Sequence, residues 1–337
     1  MTTYIVRRLL LMIPTMLGIT IACFLLCQFV PGGPVEQEIS RIRAYSAARG
    51  ASQTTISPEE VENIKAYFGF DKPVHVRYFI WLGRLFHLDM GNSYVYHMPV
   101  WNVIISKMPI SLFFGLSSFV LSYMVSIPLG VWKAIKHQSV FDLSTSILVF
   151  AGYIIPGYAL GILLITYFGE GGSFVNWFPI SGVVSDNFED LSAGAKAVDF
   201  LQHIFLPMTC YMIGEFAVLT QLMKNTLLDE LNKEYIRTAL VKGVSFHRAV
   251  WRHGFRNALI PLATGSAEIF TVMFAGSLFI ERVFDIDGMG LLFFNSISGR
   301  DYNVVMGLIV LVSFFAMLGR LFADILYVVF DPRIRFS

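Results

Sequence analysis

Residues 234–257, EYIRTALVKGVSFHRAVWRHGFRN, form a polar and basic stretch between two long apolar runs. The stretch predicts two short helices around a turn. Glu234 lies near the start of the first helix, where its charge suits the helix dipole, and Gly243 fits a left-handed helix end. Ser245 can cap a second helix that runs toward Asn257. The order of these residues indicates a rigid pair of short helices, whereas their charge alone would fit an ordinary basic loop.

The rest of the chain is strongly apolar. Of its 337 residues, 55% are hydrophobic and only 15% are charged, and Phe occurs 31 times. The mean hydropathy is +0.63, and a soluble domain carries about 25% charged residues to cover its surface. The composition therefore indicates an integral membrane protein.

Six apolar segments are long enough to cross a bilayer core of about 30 Å, which takes about 20 helical residues. In hydrocarbon the backbone must satisfy its own hydrogen bonds, so each segment is predicted to be a helix. Pro128, Pro156 and Gly161 fall inside these segments, where such residues are tolerated if neighbouring helices supply partners. The predicted spans are 9–30, 109–132, 141–168, 204–225, 259–281 and 303–330.

The distribution of Lys and Arg predicts the orientation. Basic residues gather in the N-terminal tail, after the second span, in the loop after the fourth span and in the C-terminal tail, whereas the loop at 169–203 is acidic. Both termini are therefore predicted to be cytoplasmic, and the long segment 31–108 is predicted to lie outside. Within it, Ser57 and Pro58 predict a helix start, and a second amphipathic helix is expected between Pro73 and Phe86.

Two carboxylates lie inside predicted spans, Glu215 in the fourth and Glu268 in the fifth. A charge in a span is costly and is a functional-site hypothesis by default. Thr264, Glu268, Thr271 and Ala275 follow helical spacing and are predicted to face one way. We expect this stripe to line a translocation path and attract a cation on the substrate. The alternative is that each Glu pairs with a partner chain or is protonated.

Other polar residues in the sequence carry weaker signals. Asp324 follows Arg320 by four residues in the last span, which predicts a local pair on one helix face. No His or Cys has metal-ligand spacing with an acidic partner, so no metal site is predicted. The sequence contains neither G-x-S-x-G nor G-x-x-x-x-G-K-[ST], so neither a hydrolase nor ATP hydrolysis is predicted.

The pattern Glu234-Tyr235, Ala239, Gly243, Asn257 and Pro261 resembles the "EAA" loop of ABC importer permeases. More narrowly, nearly the whole chain resembles the dipeptide/oligopeptide (DppB/OppB-like) permease family, and within it the first permease of the Yej-type branch, which imports peptides and microcin C. The other matching stretches are Tyr4-Ile-Val-Arg-Arg-Leu, Val30-Pro-Gly-Gly-Pro34, Gly69-Phe-Asp-Lys-Pro73, Leu88-Asp-Met-Gly91, His203-Ile-Phe-Leu-Pro207, Val283-Phe284, Gly288-Met-Gly290, Arg300-Asp-Tyr302 and Asp331-Pro-Arg333.

The resemblance implies an all-α type I ABC importer permease fold in the bacterial inner membrane, with six transmembrane helices, a periplasmic extension and a cytoplasmic coupling helix. It implies a non-catalytic permease subunit without a cofactor. The implied partners are a second homologous permease, two ABC ATPase subunits (or one fused) that bind ATP and Mg, a periplasmic or lipid-anchored peptide-binding protein, and membrane lipid, but no nucleic acid.

The resemblance also implies a domain organisation and a docking site. The domains are the tail and first transmembrane helix (1–30), the periplasmic extension with short helices (31–108), the transmembrane core (109–330) with its coupling loop (226–258), and the cytoplasmic tail (331–337). The residues implied to dock the ATPase are Glu234, Tyr235, Arg237, Thr238, Ala239, Lys242 and Gly243.

Two other classes of protein compete with this interpretation. A stand-alone secondary transporter or channel would need ion-coupling sites within the spans, for which Glu215 and Glu268 are the only clear candidates, and no inverted repeat is visible. An intramembrane enzyme would need paired carboxylates, His clusters or an activated nucleophile in the spans, and the sequence shows none.

Overall fold

A computed structural model describes residues 2–29, 34–48, 57–67, 70–266 and 268–330. These residues are largely helical, and among them β-pairing is confined to two isolated bridges. In chain order the helices are α1 (Thr2–Phe29), α2 (Pro34–Ala48), α3 (Pro58–Tyr67), α4 (Val74–Phe86), α5 (Val100–Ile135), α6 (Val140–Ile154), α7 (Gly157–Phe168), α8 (Ala193–Leu231), α9 (Glu234–Val241), α10 (Phe246–Ala249), α11 (Phe255–Ala258), α12 (Ile260–Gly265), α13 (Glu268–Ala275), α14 (Leu278–Val283), α15 (Met289–Ser298) and α16 (Tyr302–Phe330).

The chain divides into two compact units. The first unit comprises residues 1–8, 108–291 and 315–337, and the second comprises residues 9–107 and 292–314. The helices α1, α5, α15 and α16 each contribute residues to both units.

Four described helices are long and apolar enough to cross a membrane, namely α1, α5, α8 and α16. A fifth span results if α6 and α7 are counted together, although the two helices are bent by 100°. The prediction of one straight helix over 141–168 is therefore wrong. Pro156 explains the break, because it has no N–H and forces Ile155 into the extended region, with ψ 117°. By contrast, Pro128 lies inside the continuous helix α5, as predicted.

The predicted span 259–281 is not one helix either. It contains the three short helices α12, α13 and α14, and Ala267 lies outside the described residues. Gly276 separates α13 from α14 with φ +64°, a left-handed conformation that no helix interior accepts. By length and composition, the described residues contain four or five candidate spans, so the predicted count of six stays a prediction.

In the first unit, close helix approach organises the packing. A Cβ on Gly130 of α5 would lie 2.6 Å from the Met223 Cβ of α8, so only glycine permits this contact. Around it, buried side chains of α5 and α8 pack with Val250, Ala258 and Leu262 into one apolar cluster. The segment that follows α9 is thereby attached to the long helices.

The ends of α1 and α16 also meet within the first unit. The Tyr4 hydroxyl donates to Asp324 Oδ2 at 2.9 Å, and Arg8 Nη2 lies 3.1 Å from the same oxygen. The predicted local pair between Arg320 and Asp324 is therefore wrong, because Asp324 is engaged by the start of α1.

In the second unit, two helix predictions are confirmed. The N–H of Ser57 donates to Glu60 Oε2 at 2.8 Å, and the N–H of Glu60 donates to Ser57 Oγ at 3.1 Å, which is a reciprocal capping box at the start of α3. The helix α4 begins after Pro73 and ends at Phe86. It packs against α1 through Tyr78 and Trp81.

The stretch Arg300-Asp-Tyr302, which carries part of the family resemblance, contacts the loop after Gly91 in the second unit. Asp301 is fully buried, and its Oδ2 accepts hydrogen bonds from the Ser93 hydroxyl and, at 3.2 Å, from the Val95 N–H. The Asn303 side chain donates to the Asn92 carbonyl at 2.8 Å. These bonds attach the loop before α5 to the first turn of α16.

Candidate functional site

The first helix of the predicted docking element is α9, which starts at Glu234 and ends at Val241 as the sequence indicated. Glu234 and Arg237 form an i,i+3 ion pair of 3.0 Å that is largely exposed. The Thr238 hydroxyl donates to the Glu234 carbonyl at 2.9 Å. Such exposed local contacts contribute little to stability, so the position of α9 must depend on contacts with the rest of the chain.

A Schellman turn ends α9. The N–H of Val244 donates to the Ala239 carbonyl at 3.1 Å, and the N–H of Gly243 donates to the Leu240 carbonyl at 3.0 Å. Gly243 has φ +85°, so the left-handed helix end predicted there is confirmed. A Cβ on Gly243 would meet nothing within 4 Å. The requirement for glycine therefore comes from the backbone conformation alone.

The second helix of the element is interrupted. After α10, residues Val250–Gly254 form a π-helical turn, and α11 completes the segment before Leu259. The Ser245 side chain makes no capping hydrogen bond, so the predicted side-chain cap is wrong. The Ala249 N–H donates to the Ser245 carbonyl at 2.9 Å, which is the first intrahelical hydrogen bond of α10.

Tyr235 attaches α9 to the neighbouring helices. Its hydroxyl donates to the Glu230 carboxylate at the end of α8 and accepts from Asn257 Nδ2 at 3.1 Å. Lys233 also pairs with Glu230. Burial, and next the Glu230 carboxylate, raise the pKa of Tyr235 to about 12, so the phenol is neutral at physiological pH. The hydroxyl is thus engaged within the chain, and only part of the ring, 39% of the residue, is exposed.

The element also presents apolar side chains to the surroundings. Ile236 points inward and is 1% exposed, whereas Val241 is 89% exposed. Leu240 and Phe246 are also exposed. Sequence reasoning missed these three exposed apolar residues, although Val241 follows the buried Ile236 by five positions, which places it away from the inward face.

The predicted translocation stripe is not one helix face. Thr264 belongs to α12, whereas Glu268 and Thr271 belong to α13. The side chains of Thr264 and Glu268 lie outside the described part of the chain, and Thr271 is half-buried. Glu215 is half-buried in α8. The role of these residues in translocation stays a hypothesis. Glu268 and Thr271 share α13, whereas Thr264 lies on a different helix.

The structure identifies a different buried carboxylate, Glu281, which is 1% exposed. Its Oε1 accepts from the Ser111 hydroxyl at 3.2 Å and the Tyr211 hydroxyl at 3.1 Å. The N–H groups of Ser277 (3.1 Å) and Leu291 (2.8 Å) also donate to Glu281. These bonds connect α5, α8, α14 and α15. The sequence shows a carboxylate at the end of a predicted span, but its side-chain donors Ser111 and Tyr211 lie 170 and 70 positions away.

A buried network of paired charges lies where α5 ends and α6 begins. Lys133 is fully buried and lies 3.2 Å from Asp142 Oδ1, while Lys224 of α8 lies 2.7 Å from the same oxygen. Lys133 Nζ also donates to Thr145 at 2.9 Å and to Ser146 at 2.7 Å. Such a network is favourable only while every charge is paired. The sequence suggested that Lys133 was a loop residue, and its buried partners were not foreseen.

Among the described residues, no group of three or more His, Cys, Asp or Glu side chains is arranged to hold a metal ion.

Comparison with known families agrees with this architecture of long apolar helices and a basic helical element. The family model described as "Binding-protein-dependent transport system inner membrane component" matches residues 126–336. A second model, for the N-terminal part of such membrane components, matches residues 1–115. The chain belongs to this family of inner-membrane permease subunits. In such transporters, separate subunits hydrolyse ATP.

Individual relatives indicate the branch of the family to which the chain is similar. The "Peptidoglycan transport system permease protein YejB" of Agrobacterium fabrum is 38% identical, covering 100% of this chain and 99% of the relative. The "Inner membrane ABC transporter permease protein YejB" of Escherichia coli O157:H7 is 39% identical, with both chains fully covered. The "Oligopeptide transport system permease protein AppB" of Bacillus subtilis is 34% identical, also over both full lengths. The resemblance to the Yej-type branch is thereby confirmed.

Proposed function

We propose that this chain forms half of the pore of an ATP-driven importer for peptides. Relatives similar over their full length carry peptidoglycan, oligopeptide or peptide transport in their names, which supports this class of substrate. A second homologous permease supplies the other half of the pore. Two ABC ATPase subunits, or one fused chain, bind ATP and Mg²⁺, and a periplasmic or lipid-anchored peptide-binding protein delivers the substrate.

The observation that carries this proposal is the construction of the segment around α9. It is a short helix with a defined end at Gly243, attached inward through Ile236 and Tyr235 and exposing Leu240 and Val241 outward. Apolar side chains on a rigid element, surrounded by basic residues, suit a docking surface whose charges set the register with a partner. The proposed docking residues are those implied by the sequence, with Val241 and Phe246 added.

We further propose that both termini are cytoplasmic. The contact of Tyr4 and Arg8 with Asp324 supports the two ends of the chain lying on one side of the membrane. Basic residues on that side favour the cytoplasm. In this orientation the segment 31–108 is the periplasmic extension, which meets the binding protein or lies over the pore mouth.

The translocation path is assigned to Glu268, with Thr264, Thr271 and Glu215 as further candidates. Glu268 would attract an amino group of the peptide. Glu268→Gln is expected to reduce the uptake of cationic peptides, with neutral peptides as the internal control. Unchanged uptake and affinity for cationic peptides would leave Glu268 as a contact to the partner permease.

Site-specific cross-linking tests the docking proposal. In a background without Cys23, Cys27 and Cys210, Val241→Cys is expected to form a cross-link to an ATPase subunit in the reconstituted complex. The matched control is Phe174→Cys, which is 74% exposed in the loop predicted to lie outside. No ATPase adduct from position 241, or peptide uptake by the chain alone driven by an ion gradient, would contradict the proposal and favour a secondary transporter.

A further inference from the structure

The second unit contains a cavity of about 330 Å³, within the range of about 300–1,000 Å³ that is usual for small-molecule sites. Three cationic side chains line it, Lys72, Arg77 and Arg84, against one carboxylate, Asp89. The Asp89 Oδ1 already accepts the N–H of Gly91 at 2.9 Å. The cavity walls therefore carry an excess of positive charge.

Arg77 shows that this charge is poorly compensated. Its guanidinium lies 4.3 Å from the centroid of the Phe70 ring, and its Nε is buried without a hydrogen-bond partner among the described residues. Burial lowers the pKa of Arg77, and Asp71 opposes this effect at longer range. A guanidinium stays protonated in proteins, so a buried N–H of this kind requires an acceptor.

The position of the cavity indicates what kind of acceptor is available. Its walls include Phe24 and Gln28 at the end of α1 and Tyr302 and Met306 at the start of α16. Both helices have membrane length, so their ends lie at the level of the lipid headgroups. Trp81 also lines the cavity, and aromatic residues of this type are enriched at membrane interfaces.

Next to the cavity, α4 has the form of an interfacial helix. One side packs on α1, where Tyr78 and Trp81 contact Phe24 and the Tyr78 hydroxyl lies 3.1 Å from Thr20 Oγ1. The other side exposes Phe79 and Phe86, which are 67% and 79% exposed. A helix with one packed face and exposed aromatic residues near the ends of spans suits the headgroup–acyl boundary.

We propose that this cavity binds the phosphate headgroup of an anionic phospholipid, with Arg77 and Arg84 as the charged contacts. The acyl chains leave the cavity beside Ile80, which lines it on the same face of α4 as the two arginines and is 39% exposed. A planar guanidinium suits a phosphate because it can donate two parallel hydrogen bonds. A soluble phosphate or carboxylate would satisfy the charge but would leave the exposed side chain of Ile80 in water, so the lipid accounts for both features. Bound lipid would hold α4 at the membrane surface.

Lipid retention by the complete permease–ATPase complex tests this site. The complex is incorporated into vesicles of equal phosphatidylglycerol and phosphatidylcholine, re-extracted, and analysed by native mass spectrometry. The wild type is expected to retain phosphatidylglycerol selectively, and Arg77→Gln/Arg84→Gln is expected to retain about tenfold less. Arg43→Gln, at an exposed position on α2 outside the cavity, removes the same charge and is expected to retain as much as the wild type.

Two further measurements separate the possible results. Arg77→Lys/Arg84→Lys is expected to recover part of the lipid retention, because lysine restores the positive charge but not the planar pair of guanidinium donors. Co-purification of the ATPase subunits verifies that each variant is folded. Unchanged phosphatidylglycerol in the Gln variant, or equal retention of phosphatidylcholine by the wild type, overturns the proposal. Displacement of the lipid by inorganic phosphate or an acidic tripeptide at millimolar concentration overturns the assignment to lipid. The test uses the ATPase partners of the proposed function, but its readout is independent of transport, so it stands whichever substrate the complex carries.

Discussion

The side-chain amide of Asn257 donates a hydrogen bond to the hydroxyl of Tyr235, with 3.1 Å between nitrogen and oxygen. The same hydroxyl donates to Glu230. Three helices, α8, α9 and α11, are thereby connected at one phenol group. Because linked hydrogen bonds of this kind hold their members in one arrangement, we expect the segment to move with the long helix α8 as one body.

Tyr235→Phe should weaken this connection. The substitution keeps the ring but removes the hydroxyl, so Glu230 retains only Lys233 of the two partners described and Asn257 loses the Tyr235 acceptor. At this half-exposed position the loss is about 1 kcal/mol, which is expected to lower substrate-stimulated ATP hydrolysis severalfold while leaving membrane insertion intact. Tyr153→Phe, on an exposed position of α6, is the control. Full stimulation in Tyr235→Phe would show that the hydroxyl is not needed for coupling.

Two substitutions at Gly243 separate the effect of backbone conformation from the effect of side-chain volume. At φ +85° with an open Cβ position, Gly243→Val costs about 1–2 kcal/mol, since a β-branched residue resists positive φ. Gly243→Asn occupies similar space but tolerates this conformation. Stimulated ATP hydrolysis is expected to fall most in the Val variant, with Glu234→Gln less severe. Equal behaviour of the Val and Asn variants would contradict the conformational explanation.

Asp142→Asn should be strongly destabilising. It leaves the fully buried Lys133 and the neighbouring Lys224 without a counter-charge, a change that costs about 3–5 kcal/mol in buried pairs. A lower thermal unfolding temperature of the purified complex is expected, with partial recovery in Asp142→Asn/Lys224→Met. Glu189→Gln, which removes the exposed pair with Lys196, should leave the unfolding temperature unchanged. An Asp142 variant as stable as the wild type would refute the role assigned to the network.

Gly276→Ala tests the packing around Glu281. A Cβ at Gly276 would lie 2.2 Å from Glu281 Oε1, and the residue has φ +64°. Overpacking of this kind costs about 1–3 kcal/mol, so a lower unfolding temperature is expected. The matched change Gly83→Ala, in α4 with nothing within 4 Å, should be neutral or stabilising by about 0.5–1 kcal/mol. If the two variants unfold alike, the contact with Glu281 does not constrain the fold.

The sequence by itself determined the features that depend on a few neighbouring residues. The capping box at Ser57, the left-handed helix end at Gly243 and the start of α9 follow from local backbone preferences. The apolar composition and the ordered motif of residues 234–257 were sufficient to predict the membrane class and the permease family. Each of these signals is contained within one or two helical turns or one apolar run, so it can be read without knowing where other helices lie.

Only the tertiary structure decided the partners of the charged residues. Lys224 reaches Asp142 across 82 positions and Tyr4 reaches Asp324 across 320. Glu281 is a buried carboxylate that accepts hydrogen bonds from four donors. The sequence had instead indicated Glu215 and Glu268 as the notable carboxylates. Such pairs depend on which faces of distant helices pack together, and the energy of a buried charge depends on those neighbours rather than on its own segment. Local periodicity contains no information about that packing, and therefore could not predict it.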